Sequence, residues 1–154
     1  VEWARRQQGV ILAAGRAGRI ARVADLAGLR IARRQPASGA GLLFDHLLAE
    51  AGLSGEDIRP LEELARTETE AATAVASGAA DAAPGLEAAA RQFGLAFLPT
   101  IEERFDLAVD RRGWFEPPMQ RLLAFARGGA LAEKAAALGG YDVSRLGTVR
   151  WNAP

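Results

Sequence analysis

Apolar residues in this chain come in short runs separated by small-residue turns, and the spacing inside the runs switches between two periods. Gly9-Val10-Ile11-Leu12-Ala13-Ala14 is a continuous apolar run bounded by Gly9 and Gly15, and it predicts a buried strand. Leu29, Ile31 and Ala32 predict a second strand. Pro36 ends it, because proline donates no ladder hydrogen bond. From Ser38 the period becomes helical. Leu43, Leu47 and Leu48, with Phe44 one turn from Leu48, predict an amphipathic helix with Ser38 as its N-cap. Ala51-Gly52-Leu53 reads as its C-cap, with Gly52 in the left-handed conformation.

The rest of the chain follows the same logic. Residues 23–28 predict a helical turn, and residues 58–61 a short strand interrupted by Pro60. Thr67 and Glu70 have capping-box spacing ahead of an Ala-rich helix that runs through Ser77 and stops at Gly78. Residues 79–85 read as a turn into a helix over 86–93. Pro84 sits at its start, where a missing N–H is not needed. Phe97-Leu98-Pro99 predicts a short strand or turn, and the alternation of Phe105, Leu107 and Val109 a further strand. Two helices follow, roughly over 119–126 and 131–138, separated by Gly128-Gly129. Residues 1–8 are polar and Arg-rich, with Trp3 as their one large apolar residue.

Composition narrows the chemistry. A chain of 154 residues is long enough for one domain with a real core. A formal net charge of zero argues against a large basic surface and nonspecific nucleic-acid binding. Cysteine is absent, which excludes disulfides, zinc–thiolate sites and cysteine nucleophiles. No run approaches the ~18 apolar residues of a membrane span, so membrane insertion is not expected. No signal peptide is visible, and the chain opens on Val1. Lys134 is the only lysine beside many arginines, a bias read as genome composition.

An enzyme reading fails on inventory. The single histidine, His46, lies on the predicted helix beside Leu47 and is expected to be a partly buried helix residue. No nucleophile elbow, phosphate-binding loop or metal-ligand cluster is present, so no catalytic residue, metal or cofactor is assigned. Gly15-Arg16-Ala17-Gly18 follows a strand but lacks dinucleotide-binding spacing. Glu62-Glu63 and Glu102-Glu103 read as solvated faces.

A binding reading is more economical. The segment from Arg34 to Gly41 runs from a strand through Ser, Gly, Ala and Gly into a helix, leaving backbone N–H groups bare where a helix dipole begins. Three such turns are expected to converge at the carboxyl ends of parallel strands: 38–41, 67–69 and 82–85. Each donor to a charged acceptor contributes roughly 1.5–3 kcal/mol, so four or five support micromolar binding of a small oxyanion. Glu68, next to Thr67, argues against a doubly negative ligand, because like charges in a cleft repel.

These same residues carry a resemblance. Arg34, Gln35, Ser38, Gly39, Leu43 and Asp45 match the anchor loop of periplasmic-binding-protein-like domains related to molybdate-binding proteins. Ala37, Ala40 and Gly41 depart from it, replacing a Gly, a Thr and an Arg. Gln8-Gly9, Asp25-Leu26-Ala27-Gly28 and the run from Val75 to Asp81 resemble the family's pattern, as do Gly85, Gly94-Leu95, Phe97, the strand-like stretch Glu102 to Val109, and Tyr141-Asp142 with Ser144 and Gly147. Thr67 matches the first member of the family's Thr-His pair, and Glu68 replaces the His.

The resemblance implies an α/β fold: a type 2 periplasmic-binding-protein-like lobe, three-layer α/β/α with a mostly parallel sheet, plus C-terminal helices, with the N-terminal lobe largely missing. It implies one partial domain over 1–154, with a second lobe at 10–109 and C-terminal helices at 110–154. The implied ligand-binding residues are Arg34, Gln35, Ser38, Gly39, Ala40, Gly41, Thr67, Glu68 and Gly85. The implied function is sensing of a small anionic ligand, molybdate or tungstate, by a cytoplasmic transcriptional regulator. Such a regulator would reach DNA only through a domain outside this chain, and a homodimer is left open. The alternatives are a periplasmic solute receptor of an ABC transporter and a non-binding assembly domain.

Overall fold

The structure is a computed structural model that describes residues 1–152. The strands are β1 (Glu2–Leu12), β2 (Arg30–Ile31), β3 (Arg59–Pro60), β4 (Ala82–Leu86), β5 (Ala96–Asp106) and β6 (Tyr141–Asp142). The helices are α1 (Gly39–Glu50), α2 (Glu68–Ala76), α3 (Glu87–Gln92), α4 (Pro117–Arg127) and α5 (Ala130–Leu138), with 3₁₀ turns at Ala14–Arg16, Val23–Leu26 and Gly113–Phe115. The chain divides into two compact units. One is Gln8–Ile101; the other is Val1–Gln7 together with the chain from Glu102 onward.

In the Gln8–Ile101 unit the strand order is β3-β2-β4-β1-β5. The sheet is mixed. β2 pairs in parallel with β3 and β4, whereas β1 runs antiparallel to β4. The chain order β2-α1-β3-α2-β4-α3 places the starts of α1 and α2 after the carboxyl ends of parallel strands.

Alternation along the strands builds two layers. Val10, Leu12, Ile31 and Ala82 turn to one face, where they pack with Leu26, Phe44, Leu48 and Ile58. Ile11, Ala32 and Ala83 turn to the other, against Ala71, Ala72 and Val75 of α2 and Ala90 of α3. Successive residues of a strand point to opposite faces, so helices on both sides follow from this pattern.

Several expectations are corrected. The strand expected at 9–14 extends back to Glu2 and ends at Leu12. The two segments expected around 97–99 and 102–109 form the single strand β5, with Pro99 inside it. The buried face of α1 is Ala40, Gly41, Phe44 and Leu48, while Leu43 and Leu47 are half-buried. His46 is exposed, 3.5 Å from Glu50.

The largest correction is at residues 82–85, which form strand and not a turn into a helix. Pro84 lies opposite Val10. The Ala13 N–H donates to the Asp81 carbonyl at 3.0 Å, which fixes the phase of the β1–β4 ladder. Val10 and Pro84 are therefore a non-hydrogen-bonded pair, and the proline nitrogen points away from β1. On that side β2 pairs with Ala82, and the ladder stops after the Ala32 N–H donates to the Ala82 carbonyl at 3.0 Å, because Pro84 has no N–H to continue it.

The other unit carries α4 packed on α5, and α5 on β6, with Leu123, Ala126 and Ala135 buried. Glu2 is buried there and accepts from Arg5 at 3.1 Å and from Arg150 at 2.5 Å. Burial pushes its pKa up, but these hydrogen bonds outweigh it and hold the carboxyl below the ordinary glutamate value. Arg6 also stacks over Phe105, 4.6 Å from the ring centre, while pairing with Glu103 at 2.6 Å.

Candidate functional site

Arg34 follows β2 and makes a parallel bridge to Ala65, so its side chain is aimed at the start of α2. All three guanidinium nitrogens are engaged. Nε donates to the Ala65 carbonyl at 3.2 Å, Nη2 to the Arg66 carbonyl at 3.3 Å and Nη1 to Glu68 Oε1 at 2.5 Å. The Arg34 side chain is only 10% exposed, against 32% for Glu68.

The second oxygen of Glu68 is different. Oε2 is buried and accepts no hydrogen bond from the described residues. It lies 3.1 Å from the position a Cβ would take on Gly85, beside Ile11. Arg34, Glu68 and Gly85, far apart in sequence, are thus brought together at one end of the sheet.

Ser38 and its neighbours form a self-contained cap. The Ser38 backbone is extended, and its hydroxyl accepts from the Gly41 N–H at 3.1 Å and donates to the Gln35 carbonyl at 2.7 Å. A Cβ on Gly41 would stand 2.5 Å from the Gln35 carbonyl oxygen, so the turn closes only around glycine. That accounts for Gly41 where the resembled loop carries an arginine. Ala40 is buried towards the core, so it belongs to packing and not to a ligand surface. Gly39 is exposed, with nothing within 4 Å of its Cβ direction. Its amide and that of Ala40 are first-turn donors with no acceptor among the described residues.

Thr67 caps α2, accepting from the Glu70 N–H at 3.1 Å. The expected capping box is shifted by one residue: Glu70 accepts from the Arg66 N–H at 2.7 Å, one position before the N-cap. Gln35, Leu64 and Arg66 line a hollow of about 580 Å³ with the carboxylates of Glu62, Glu63 and Glu70. Three carboxylates against one guanidinium make it acidic. Of the three amide-bearing turns expected, two are helix starts. The third, at 82–85, is strand, and α3 beyond it has only six residues.

Sequence reasoning missed the role of Asp81. Its carboxylate accepts from the Arg30 N–H at 2.9 Å, from the Arg30 guanidinium at 3.2 and 3.1 Å, and from Arg16 at 2.9 Å. The Arg30 side chain, with help from the Arg30 amide and Arg16, holds its pKa well below the usual carboxylate range against the opposing effect of burial. The signal was a lone acid inside an alanine run, which is stable only when paired. The hollow of about 270 Å³ lined by Trp114, Phe115, Val149, Trp151 and Arg111 was also not foreseen.

Comparison with known proteins adds to this geometry. Residues 1–127 match the family model described as PBP superfamily domain. The uncharacterized protein YvgK of Bacillus subtilis is 35% identical over 83 residues, covering 54% of this chain and 27% of that protein. Among solved structures, the amino acid ABC transporter substrate-binding protein AbpA of Streptococcus pneumoniae, bound to L-arginine, superposes with a TM-score of 0.61 at 14% identity, over 90% of this chain and 59% of its own. The alkanesulfonate-binding protein SsuA of Xanthomonas axonopodis pv. citri, bound to MOPS, gives 0.51 at 23% identity, over 89% and 52%. An ABC transporter periplasmic binding protein of Brucella ovis with glutathione bound gives 0.54 at 20% identity, over 70% and 35%. The chain thus spans 27% of the curated relative it matches, and between about a third and three-fifths of these solved chains.

Proposed function

This chain belongs to the PBP superfamily domain family, and from that premise we propose that it binds a small solute at the carboxyl ends of β2 and β4, as part of a solute receptor of the ABC-transporter type. The observation that carries this reading is the meeting of Arg34, Glu68 and Gly85 beside the starts of α1 and α2. It puts a charged pair, a buried acceptor and two helix starts at one place, and open sheets of this kind hold ligands outside the carboxyl ends of their strands. Gln8–Ile101 is the ligand-holding lobe in this reading. Gln35, Ser38, Gly39 and Thr67 frame the site, and Ala40 and Gly41 shape it from behind.

The receptor reading is preferred to the regulator because the Brucella ovis and Streptococcus pneumoniae proteins of similar structure are described as ABC transporter binding proteins. A receptor working with such a transporter is placed outside the cytoplasm. The role asked of the site is retention of a solute, with no bond made or broken.

Calorimetry tests this on the full chain, with molybdate, sulfate, MOPS, L-arginine and glutathione as probes. The expectation is saturable binding of at least one, with an affinity that shifts tenfold or more in Gly39→Glu, downward for an anionic probe and upward for a cationic one. That side chain would enter open space and place a carboxylate over the free amides of α1 without disturbing the fold. Failure of every probe to bind, or affinity indifferent to Gly39→Glu, overturns the assignment.

A further inference from the structure

The inventory of donors and acceptors around Arg34 is unbalanced. Its Nε, Nη1 and Nη2 each already have an acceptor, which takes three of its five N–H groups. The buried acceptor left without a partner is Glu68 Oε2. A carboxylate oxygen left unpaired out of water is costly, and the group that relieves it is a hydrogen-bond donor, best a charged one.

A second observation points the same way. The hollow lined by Gln35 and Arg66, the first next to Arg34 in sequence and the second two residues before Glu68, also carries Glu62, Glu63 and Glu70. Glu70 accepts the backbone N–H of Arg66, while Glu62 and Glu63 are exposed, with no ion-pair partner among the described residues. The local field therefore attracts cations and repels anions.

We propose that the solute carries a cationic hydrogen-bond donor, a protonated amine or a guanidinium, and that Glu68 is the residue that accepts from it. This rests on the binding reading given above and names its ligand class. Glu68 is a third exposed, and the terminal torsion of a glutamate is soft, so a turn of the carboxylate presents the unpaired oxygen without moving the backbone. Gly85 is the complement of this motion, because its bare Cα leaves the carboxylate room. The Glu62–Glu63 wall draws the cation in; Glu68 fixes it.

The test is calorimetry on the full chain with agmatine, which has a guanidinium and an amine but no acid, beside molybdate and sulfate. Agmatine is expected to bind, the two oxyanions to fail, and Glu68→Gln to weaken agmatine tenfold or more while thermal unfolding shows the variant folded. A Glu62→Gln/Glu63→Gln double variant, altered only at exposed positions, is expected to weaken it threefold or more at low salt and less at high salt. Molybdate or sulfate binding that tightens in Glu68→Gln, with agmatine inert, overturns the cationic assignment and leaves the binding function standing. Agmatine binding that ignores both sets of substitutions overturns the role given to these carboxylates. No binding by agmatine or by any probe of the wider panel overturns the inference and the function together.

Discussion

Glu68 Oε2 and Gly85 meet where a side chain would otherwise begin: the oxygen lies 3.1 Å from the Cβ position of the glycine, so the carboxylate rests on bare backbone. The pairing works because Gly85 offers nothing to displace it, and because Arg34 holds the other carboxylate oxygen in place.

Gly85→Ala should therefore disturb two neighbours at once. The new methyl would stand 2.7 Å from Ile11 Cδ1, and Ile11 is fully buried, with little room to swing away. Overpacking of this kind costs roughly 1–3 kcal/mol. Chemical denaturation of the variant should read a loss in that range, and a stability equal to the parent's would contradict the contact.

Gly9→Ala should be worse. Its methyl would fall 2.1 Å from the Leu98 carbonyl oxygen, a backbone atom that cannot rotate aside. The expected loss is larger than for Gly85→Ala, above the roughly 1–3 kcal/mol of ordinary overpacking. Ranking the two variants by unfolding midpoint checks this, and the reverse order would place β5 wrongly against β1.

Asp81 makes stability depend on acid. Arg30 and Arg16 favour its charged form in the folded state, so its folded pKa lies below the ordinary value of about 3.9. The contribution is complete above that ordinary value and is lost as pH falls below it towards the folded-state pKa. Asp81→Asn should cost about 1–3 kcal/mol at neutral pH. The lower end is expected, because Arg30 and Arg16 are 48% and 35% exposed and water can replace the lost charge. The gap between parent and variant, followed by urea unfolding, should narrow from pH 5 to pH 2. A constant gap would deny the ion pairs their role.

Removal of the caps separates two similar residues. Thr67→Ala deletes one acceptor at α2 and should cost about 1 kcal/mol. Ser38→Ala deletes an acceptor for Gly41 and also a donor to Gln35, so its loss should exceed that of Thr67→Ala. Equal midpoints in thermal unfolding would show that the Ser38–Gln35 bond contributes nothing.

Much of the architecture was legible because it rests on local signals. Ser38 and Thr67 announce helix starts by their own chemistry, and Gly52 and Gly78 announce helix ends, each with a positive φ in the structure. The unreadable parts depend on distant partners. β4 looked like a turn because Pro84 suppresses a strand reading, and only the phase of the ladder with Val10 makes the proline harmless. The first half of β1 read only as polar and Arg-rich, and the partner that completes the neutralisation of Glu2 beside Arg5 is Arg150, 148 residues away. The candidate site divides in the same way. The resemblance names its residues, Arg34 among them, while the engagement of the Arg34 guanidinium by Glu68, Ala65 and Arg66 depends on contacts about thirty residues away.

The two faces of the central sheet are lined with side chains of very different size. Phe44, Leu26, Leu48 and Ile58 fill one side, while the other is chiefly alanine, relieved by Ile11 and Val75. Damage therefore comes from opposite directions. Beneath α1, trimming a residue opens a void, whereas beneath α2 the buried alanines have little to lose and enlarging them overpacks the layer. Variation that keeps this protein folded should swap shapes on the first side and leave the second unchanged.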